Sequence, residues 1–220
     1  MGETIELHAA DGHRFSAYRA GPEQGHGLVV VQEIFGLNHH MRTVCDRFAA
    51  AGWSVVAPAM FDRVQRGVEL GYGPEGVAAG RELRTKVPEA GIIADIEAAA
   101  NALAGPAVGI VGYCWGGTVA WWGATRSRSF KAAVSWYGGG IAATRTETPH
   151  CPVQLHFGEQ DHGIPLTDVD AIRAAQPGVE VFVYPGAGHG FGCDERDSFK
   201  PDVRDLAQQR TLAFLEQHVR

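Results

Sequence analysis

Two rhythms of apolar residues run along this chain. Residues 28–31, 53–57, 108–111, 132–136, 153–157 and 181–184 are short runs rich in Val, Ile and aromatic side chains, and each reads as a strand. Between them the apolar residues recur at helical spacing. Residues 42–51 carry Val44, Phe48 and Ala51 on one face and meet a stop at Gly52; residues 90–103 carry Ile92, Ile93, Ile96, Ala99, Ala100 and Leu103 and meet Gly105-Pro106. Residues 118–125 and 202–218 complete the helical set, the last with Val203, Leu206, Leu212 and Leu215. Strands this apolar on both faces, separated by helices, belong to a mostly parallel central sheet covered by helices on both faces, an α/β architecture. No repeat, linker or low-complexity run interrupts residues 1–220, which read as a single α/β domain. Residues 61–80 are glycine-rich and lack periodicity, and are expected to be a surface excursion or cap.

Composition narrows the functional classes. A chain of 220 residues buries roughly 70–75% of its unfolded surface, so its core needs no disulfide or metal. A net charge of −6 removes the basic footprint of a nucleic-acid or anionic-membrane binder. No apolar run is long enough for a membrane span, and the first residues show no basic-then-apolar export signal. Cys45, Cys114, Cys151 and Cys193 form no CxxC pair, which fits reduced thiols in a cytoplasm.

The chemistry concentrates in Gly109-Ile-Val-Gly112-Tyr-Cys114-Trp-Gly116-Gly117: a strand, then G-x-C-x-G, then a helix. This is the nucleophile-elbow pattern with cysteine in place of serine. The glycines permit an abrupt strand-to-helix turn, the helix N-terminus favours a thiolate, and the Trp115 N–H points where an oxyanion would form. The plainer account is a glycine-rich turn carrying an ordinary cysteine. The order of possible partners weighs against it. Asp161 follows the strand at 153–157 in Phe-Gly-Glu-Gln-Asp161-His, and His189 follows the strand at 181–184 in Pro-Gly-Ala-Gly-His189-Gly-Phe. Each lies just past a strand's carboxyl end, where the catalytic loops of open α/β sheets gather. His189 would move protons and Asp161 would fix its tautomer; as alternatives, Asp161 could cap a helix and neighbouring His162 reads as a surface residue. Glu33, in Gln-Glu33-Ile-Phe-Gly-Leu-Asn after the strand at 28–31, is either a solvated loop carboxylate or a functional one. The loop holding it is expected to donate a second oxyanion-hole amide, that of Ile34.

These four segments, in this order, resemble the dienelactone hydrolases of the α/β-hydrolase superfamily, collinearly over almost the whole chain. The resemblance implies an α/β-hydrolase fold and a Cys114–His189–Asp161 triad assisted by Glu33. That glutamate would hold the thiol at rest and deprotonate it when substrate binds. It further implies Phe35 and Trp136 in the substrate pocket and hydrolysis of a lactone or ester through an acyl-thioester. Family members acting on dienelactone grip its carboxylate with two arginines. One would fall at Cys193 here, the other near Gly76 or Val77, so Arg81 or Arg84 is the expected substitute; Arg196 could reach in from the loop after His189, with a solvated surface position as the preferred reading. A carboxylesterase or thioesterase would use the same residues, whereas a catalytically silent ligand-binding scaffold would leave the set unexplained. No cofactor and no metal are expected. His39 and His40 point about 100° apart on a helix, and no third ligand stands near them in the chain. Cys45 reads as an inert core thiol, and a Cys114–Cys193 disulfide is not expected. The expected partner is a small ester or lactone, with no nucleic acid or membrane, and the family resemblance makes a monomer the default.

Overall fold

A computed structural model describes residues 2–105 and 107–219 of the protein; Pro106, expected to end a helix together with Gly105, lies outside the described residues. Eight strands form one sheet: β1 (Glu3–His8), β2 (Arg14–Ala20), β3 (Gly27–Val31), β4 (Ser54–Pro58), β5 (Val108–Tyr113), β6 (Ala132–Trp136), β7 (Val153–Gly158) and β8 (Glu180–Tyr184). Their spatial order is β1-β2-β4-β3-β5-β6-β7-β8. From β4 to β8 neighbouring strands run parallel, while β1 and β2 join antiparallel at one edge. The helices are α1 (His39–Ala50), α2 (Pro74–Lys86), α3 (Glu89–Asn101), α4 (Trp115–Arg126), α5 (Leu166–Ala175) and α6 (Pro201–Val219). This is the α/β-hydrolase architecture. Among the described residues no helix is long and apolar enough to cross a membrane.

Every residue of β3, β4, β5, β6 and β7 is buried, because helices cover both faces. A Cβ on Gly109 would meet Leu215 and Val219 of α6, while Ile110 meets Gly123 of α4, so these two helices lie on opposite sides of β5. Helix α3 packs beside α4, and α1 beside α6. Each fully buried valine in β3 and β5 contributes roughly 1.5 kcal/mol or more.

The structure departs from the sequence reading at three places. The β1–β2 hairpin was not expected: β1 is largely exposed and carries mixed polarity, so it lacks the apolar run that marks the inner strands. Helix α5 was missed too, for it buries only Val169 and Ile172. The supposed excursion contains the first half of α2, which starts on Pro74 at its first turn and buries only Gly80 and Leu83. Gly80 is required there. A Cβ would lie 1.9 Å from the Ile34 carbonyl oxygen, so only glycine lets α2 approach the loop after β3.

A buried ion pair anchors the hairpin side. The Arg63 guanidinium donates to both Asp95 oxygens, at 2.8 and 2.7 Å, and reaches Asp11 Oδ2 at 2.8 Å. The Asp95 side chain is fully buried on α3. Removing it leaves Arg63 buried and uncompensated on that side, so Asp95→Ala should cost about 3 kcal/mol in denaturant unfolding. A loss below about 1 kcal/mol would show that Asp11 alone satisfies the guanidinium.

Candidate active site

The turn between β5 and α4 sets the geometry. Cys114 stands at φ 54°, ψ −115°, a region that side-chain-bearing residues rarely adopt. Its N–H donates to the Trp136 carbonyl at 2.9 Å, and its carbonyl accepts from the N–H groups of Gly117 and Thr118. The flanking glycines make the turn possible. A Cβ on Gly112 would lie 1.8 Å from the Gly116 carbonyl oxygen, and one on Gly116 would lie 2.3 Å from that of Val31. Helix α4 therefore starts at Trp115, three residues before its apolar rhythm begins. The sulfur sits at the helix N-terminus, where first-turn N–H groups lack partners within the helix.

His189 comes from the loop after β8. Its Nδ1 donates to Asp161 Oδ2 at 2.7 Å. Asp161, at the end of β7, is buried, and its other oxygen accepts the Gly163 N–H at 2.9 Å. Ser198 Oγ donates to the His189 carbonyl at 2.7 Å, and the Tyr137 ring packs against the imidazole with centroids 5.1 Å apart. Cys114 lines the same cavity and acts on this imidazole; with Nδ1 bonded to Asp161, Nε2 is the nitrogen left for the sulfur. Burial works against a charged imidazole, but the Asp161 carboxylate and the Cys114 sulfur beside it outweigh that cost. His189 is held up to about 10 from an ordinary 6.5.

Beside this pair lies a cavity of about 230 Å³, lined among others by Ile34, Phe35, Trp115 and Arg81. Ile34 and Trp115, the two expected oxyanion-hole residues, thus both border it, from the loop after β3 and the first turn of α4. A thiol and an imidazole thus share one cavity with the two residues whose amides could hold an oxyanion, a set that acyl transfer could use.

Trp136 is a correction. The register of β6 turns residues 132, 134 and 136 toward α6, so its indole is fully buried and donates to Thr211 Oγ1 at 3.1 Å, away from the cavity. Arg196 is a second. Instead of standing in solvent it folds back over Phe35 and Tyr72, with its guanidinium carbon 5.7 and 5.8 Å from the ring centroids, and lines the cavity with Arg81 and Arg84. Gly190, at φ 75°, makes room, since a Cβ there would lie 2.6 Å from the guanidinium. The sequence signal for it was the +4 arginine that is missing at Cys193; the replacement stands three residues further on.

Glu33 is fully buried at the end of β3. Arg196 Nη1 lies 3.5 Å from its Oε1, and neither carboxylate oxygen has a hydrogen-bond partner. The two adjacent histidines do diverge: His39 Nδ1 bonds Glu195 at the surface, while His40 is buried on the inner side of α1. His40 has other neighbours that the linear sequence did not reveal. Cys193, buried and without a disulfide, meets His40 and Glu33 there, and burial with the nearby Glu33 charge pushes its thiol up to about 12. Cys45 is likewise buried and free, and burial raises its thiol well above the ordinary range.

The sequence model of the dienelactone hydrolase family matches residues 15–219 of this chain. A Synechocystis sp. protein provisionally named carboxymethylenebutenolidase is 36% identical over 209 residues, which cover 86% of this chain and 85% of the relative. An Escherichia coli K12 protein of the same provisional name is 32% identical over 232 residues, covering 95% and 84%. A Klebsiella pneumoniae crystal structure, provisionally named a dienelactone hydrolase, aligns with a TM-score of 0.82 at 32% identity, over 98% of this chain and 100% of that one.

The raised His189 value has two named causes, and one can be removed. Cys114→Ala deletes the sulfur, so the imidazole should titrate well below 10 in that variant, read by histidine NMR. Because the folded value lies above the ordinary one, protonated His189 adds stability that is complete below about pH 6.5 and is lost as pH rises through 10. In Cys114→Ala that loss should come at lower pH. Identical titration curves in both proteins would dissociate Cys114 from the imidazole.

Proposed function

Because this chain belongs to the dienelactone hydrolase family, a family of hydrolases, we propose that it cleaves a small lactone or carboxylic ester bearing a carboxylate, with Cys114 as nucleophile. One observation carries this reading: the strained Cys114 turn faces an imidazole whose other nitrogen is bonded to a buried Asp161 at 2.7 Å. That is the nucleophile–base–orienter relation of covalent catalysis.

The reaction runs in two halves. Glu33 accepts the Cys114 thiol proton, and the sulfur anion attacks the carbonyl carbon. The carbonyl electron pair moves onto oxygen, where the N–H groups of Ile34 and Trp115 hold it. Collapse expels the alkoxide, which takes the proton of the His189 imidazolium, and an acyl-thioester remains on Cys114. Neutral His189 then takes a proton from water as the hydroxide oxygen attacks the thioester. Collapse releases the acid and the thiolate, and Glu33 returns its proton to sulfur. Asp161 holds Nδ1–H throughout, so Nε2 is always the nitrogen that exchanges protons.

Arg81, Arg84 and Arg196 support the carboxylate on the substrate, since three guanidinium groups line so small a cavity. Bidentate guanidinium recognition of a carboxylate is the chemistry they supply. Arg196 also pairs with Glu33, so a substrate carboxylate that draws the guanidinium away frees Glu33 for its proton. Activation of the thiol is then tied to the arrival of an anionic substrate.

The test uses p-nitrophenyl acetate and a cis-dienelactone. Turnover of at least one is expected, abolished by Cys114→Ala and strongly reduced by Glu33→Gln. Cys114→Ser should lower activity substantially, because a hydroxyl is far harder to ionise than a thiol. Arg196→Met should raise KM for the anionic lactone roughly tenfold or more and leave KM for the neutral acetate nearly unchanged, as expected for one lost charge-assisted bond. Equal rates in wild type and Cys114→Ala would eliminate the covalent route. A neutral ester preferred over the lactone, with Arg196→Met silent on both, would make the protein a general carboxylesterase or thioesterase.

A further inference from the structure

Behind the active-site cavity, the inner end of α1 meets the loops that follow β3 and β8. Three donors gather there: a Glu33 carboxylate oxygen, a His40 ring nitrogen and Cys193 Sγ, all within 4.8 Å of one another and all on buried residues. Two of the groups, Glu33 and His40, are fully or almost fully buried, and the atoms they bring to this point are without hydrogen bonds. Both Glu33 oxygens and His40 Nε2 make no hydrogen bond. Leaving such atoms unsatisfied is costly, most of all for a charged one. A core that conserved only packing would have no reason to aim them at one point.

The surroundings match a metal centre in a further respect. His40 Nδ1 bonds Asp194 Oδ1 at 2.9 Å, and Arg47 holds the other oxygen of that carboxylate. A carboxylate on the far ring nitrogen fixes the tautomer in which Nε2 carries the free lone pair, the arrangement typical of metal-ligating histidines. The Tyr72 hydroxyl, which accepts from Asn38 Nδ2 at 3.2 Å, hydrogen-bonds Cys193 and so orients the sulfur.

From this juxtaposition we propose that Glu33, His40 and Cys193 form a binding site for a divalent ion of the zinc type. Mixed carboxylate, imidazole and thiolate donors suit Zn²⁺, and do not suit the all-oxygen preference of Ca²⁺ or Mg²⁺. Charge balances as well. Binding releases the Cys193 thiol proton to solvent, and a 2+ ion with one thiolate, one carboxylate and one neutral imidazole is a neutral unit, the form a buried site tolerates best. The ion takes the carboxylate that Arg196 now approaches at 3.5 Å. Its consequence for activity rests on the function proposed above: with Glu33 ligated, the thiol proton has no acceptor, and the ion acts as a reversible inhibitor.

Occupancy is read without any substrate. Full-length protein is titrated with Co²⁺ and then Zn²⁺, following the thiolate-to-cobalt charge-transfer band and stoichiometry by competition with a chromophoric chelator. Wild type and Cys114→Ala should bind one equivalent and show the band, whereas Cys193→Ser should lose the band. Cys193→Ser and His40→Gln should each weaken binding more than about tenfold. Circular dichroism of the metal-free variants reports folding, and Asp194→Asn, which leaves all three donors in place, should weaken binding less. Absence of stoichiometric binding in wild type overturns the site. So does a band that survives Cys193→Ser, or one lost only in Cys114→Ala, which would assign the ion to the Cys114–His189 pair. In a separate arm, ester turnover by wild type should fall as Zn²⁺ fills the site and recover with EDTA. Full occupancy with an unchanged rate would leave the site standing and refute the inhibition.

Discussion

The backbone at Cys114 sits at φ 54°, in a conformation that costs of order 1–3 kcal/mol and persists only where its surroundings over-determine it. Those surroundings are the middle of the sheet. Gly112 and Gly116 let β5 and α4 approach so closely that no side chain fits between them, and Gly116 also lies against the Val31 and Gln32 carbonyls at and just after the end of β3. The strand pairing Val31↔Gly112 fixes that contact, and Gln32 locks the next residue by accepting the Met60 N–H at 3.1 Å and donating to the Glu33 carbonyl. One turn thus fixes the sulfur, the Trp115 amide and the loop carrying Glu33 and Ile34. The strain is offset by the buried apolar strands on either side.

Much of this could be read directly from the residues. The inner strands are legible because burial on both faces demands an unbroken apolar run, as in Leu28 to Val31. The elbow is legible because only glycine fits at 112 and 116. Asp161 and His189 are legible because parallel strands send their carboxyl ends to one edge, so residues just past them converge whatever their separation in the chain. Legibility fails where side-chain direction decides. Trp136 stands at the correct strand end but on the α6 side of the pleat, and one residue of register separates the two. Arg196 fails for a different reason: a surface loop with no periodicity gives no sign that it folds back over Phe35. His40, Glu33 and Cys193 share no spacing pattern, and three loop and helix ends had to be brought together before they formed a cluster.

The electrostatics of the site divide between two sides of Glu33. Toward the cavity stands the Arg196 guanidinium; toward α1 stand the His40 imidazole and the Cys193 thiol. A buried carboxylate with no hydrogen-bond donor of its own attracts any cation that comes near, and Arg196 stands 3.5 Å from it. The raised proton affinity of His189 adds another positive group beside the same cavity across the neutral pH range.

Helix α2 ties two tasks to a single rigid body. Through Gly80 it rests on the Ile34 carbonyl, and one and two turns of its surface present Val77, Arg81 and Arg84 to the cavity. A change that tilts this helix shifts the guanidinium groups and the peptide plane beside Ile34 together. A change in α2 therefore alters the charge of the cavity wall and the loop after β3 at once, whereas Arg196 reaches the same wall from the loop after β8.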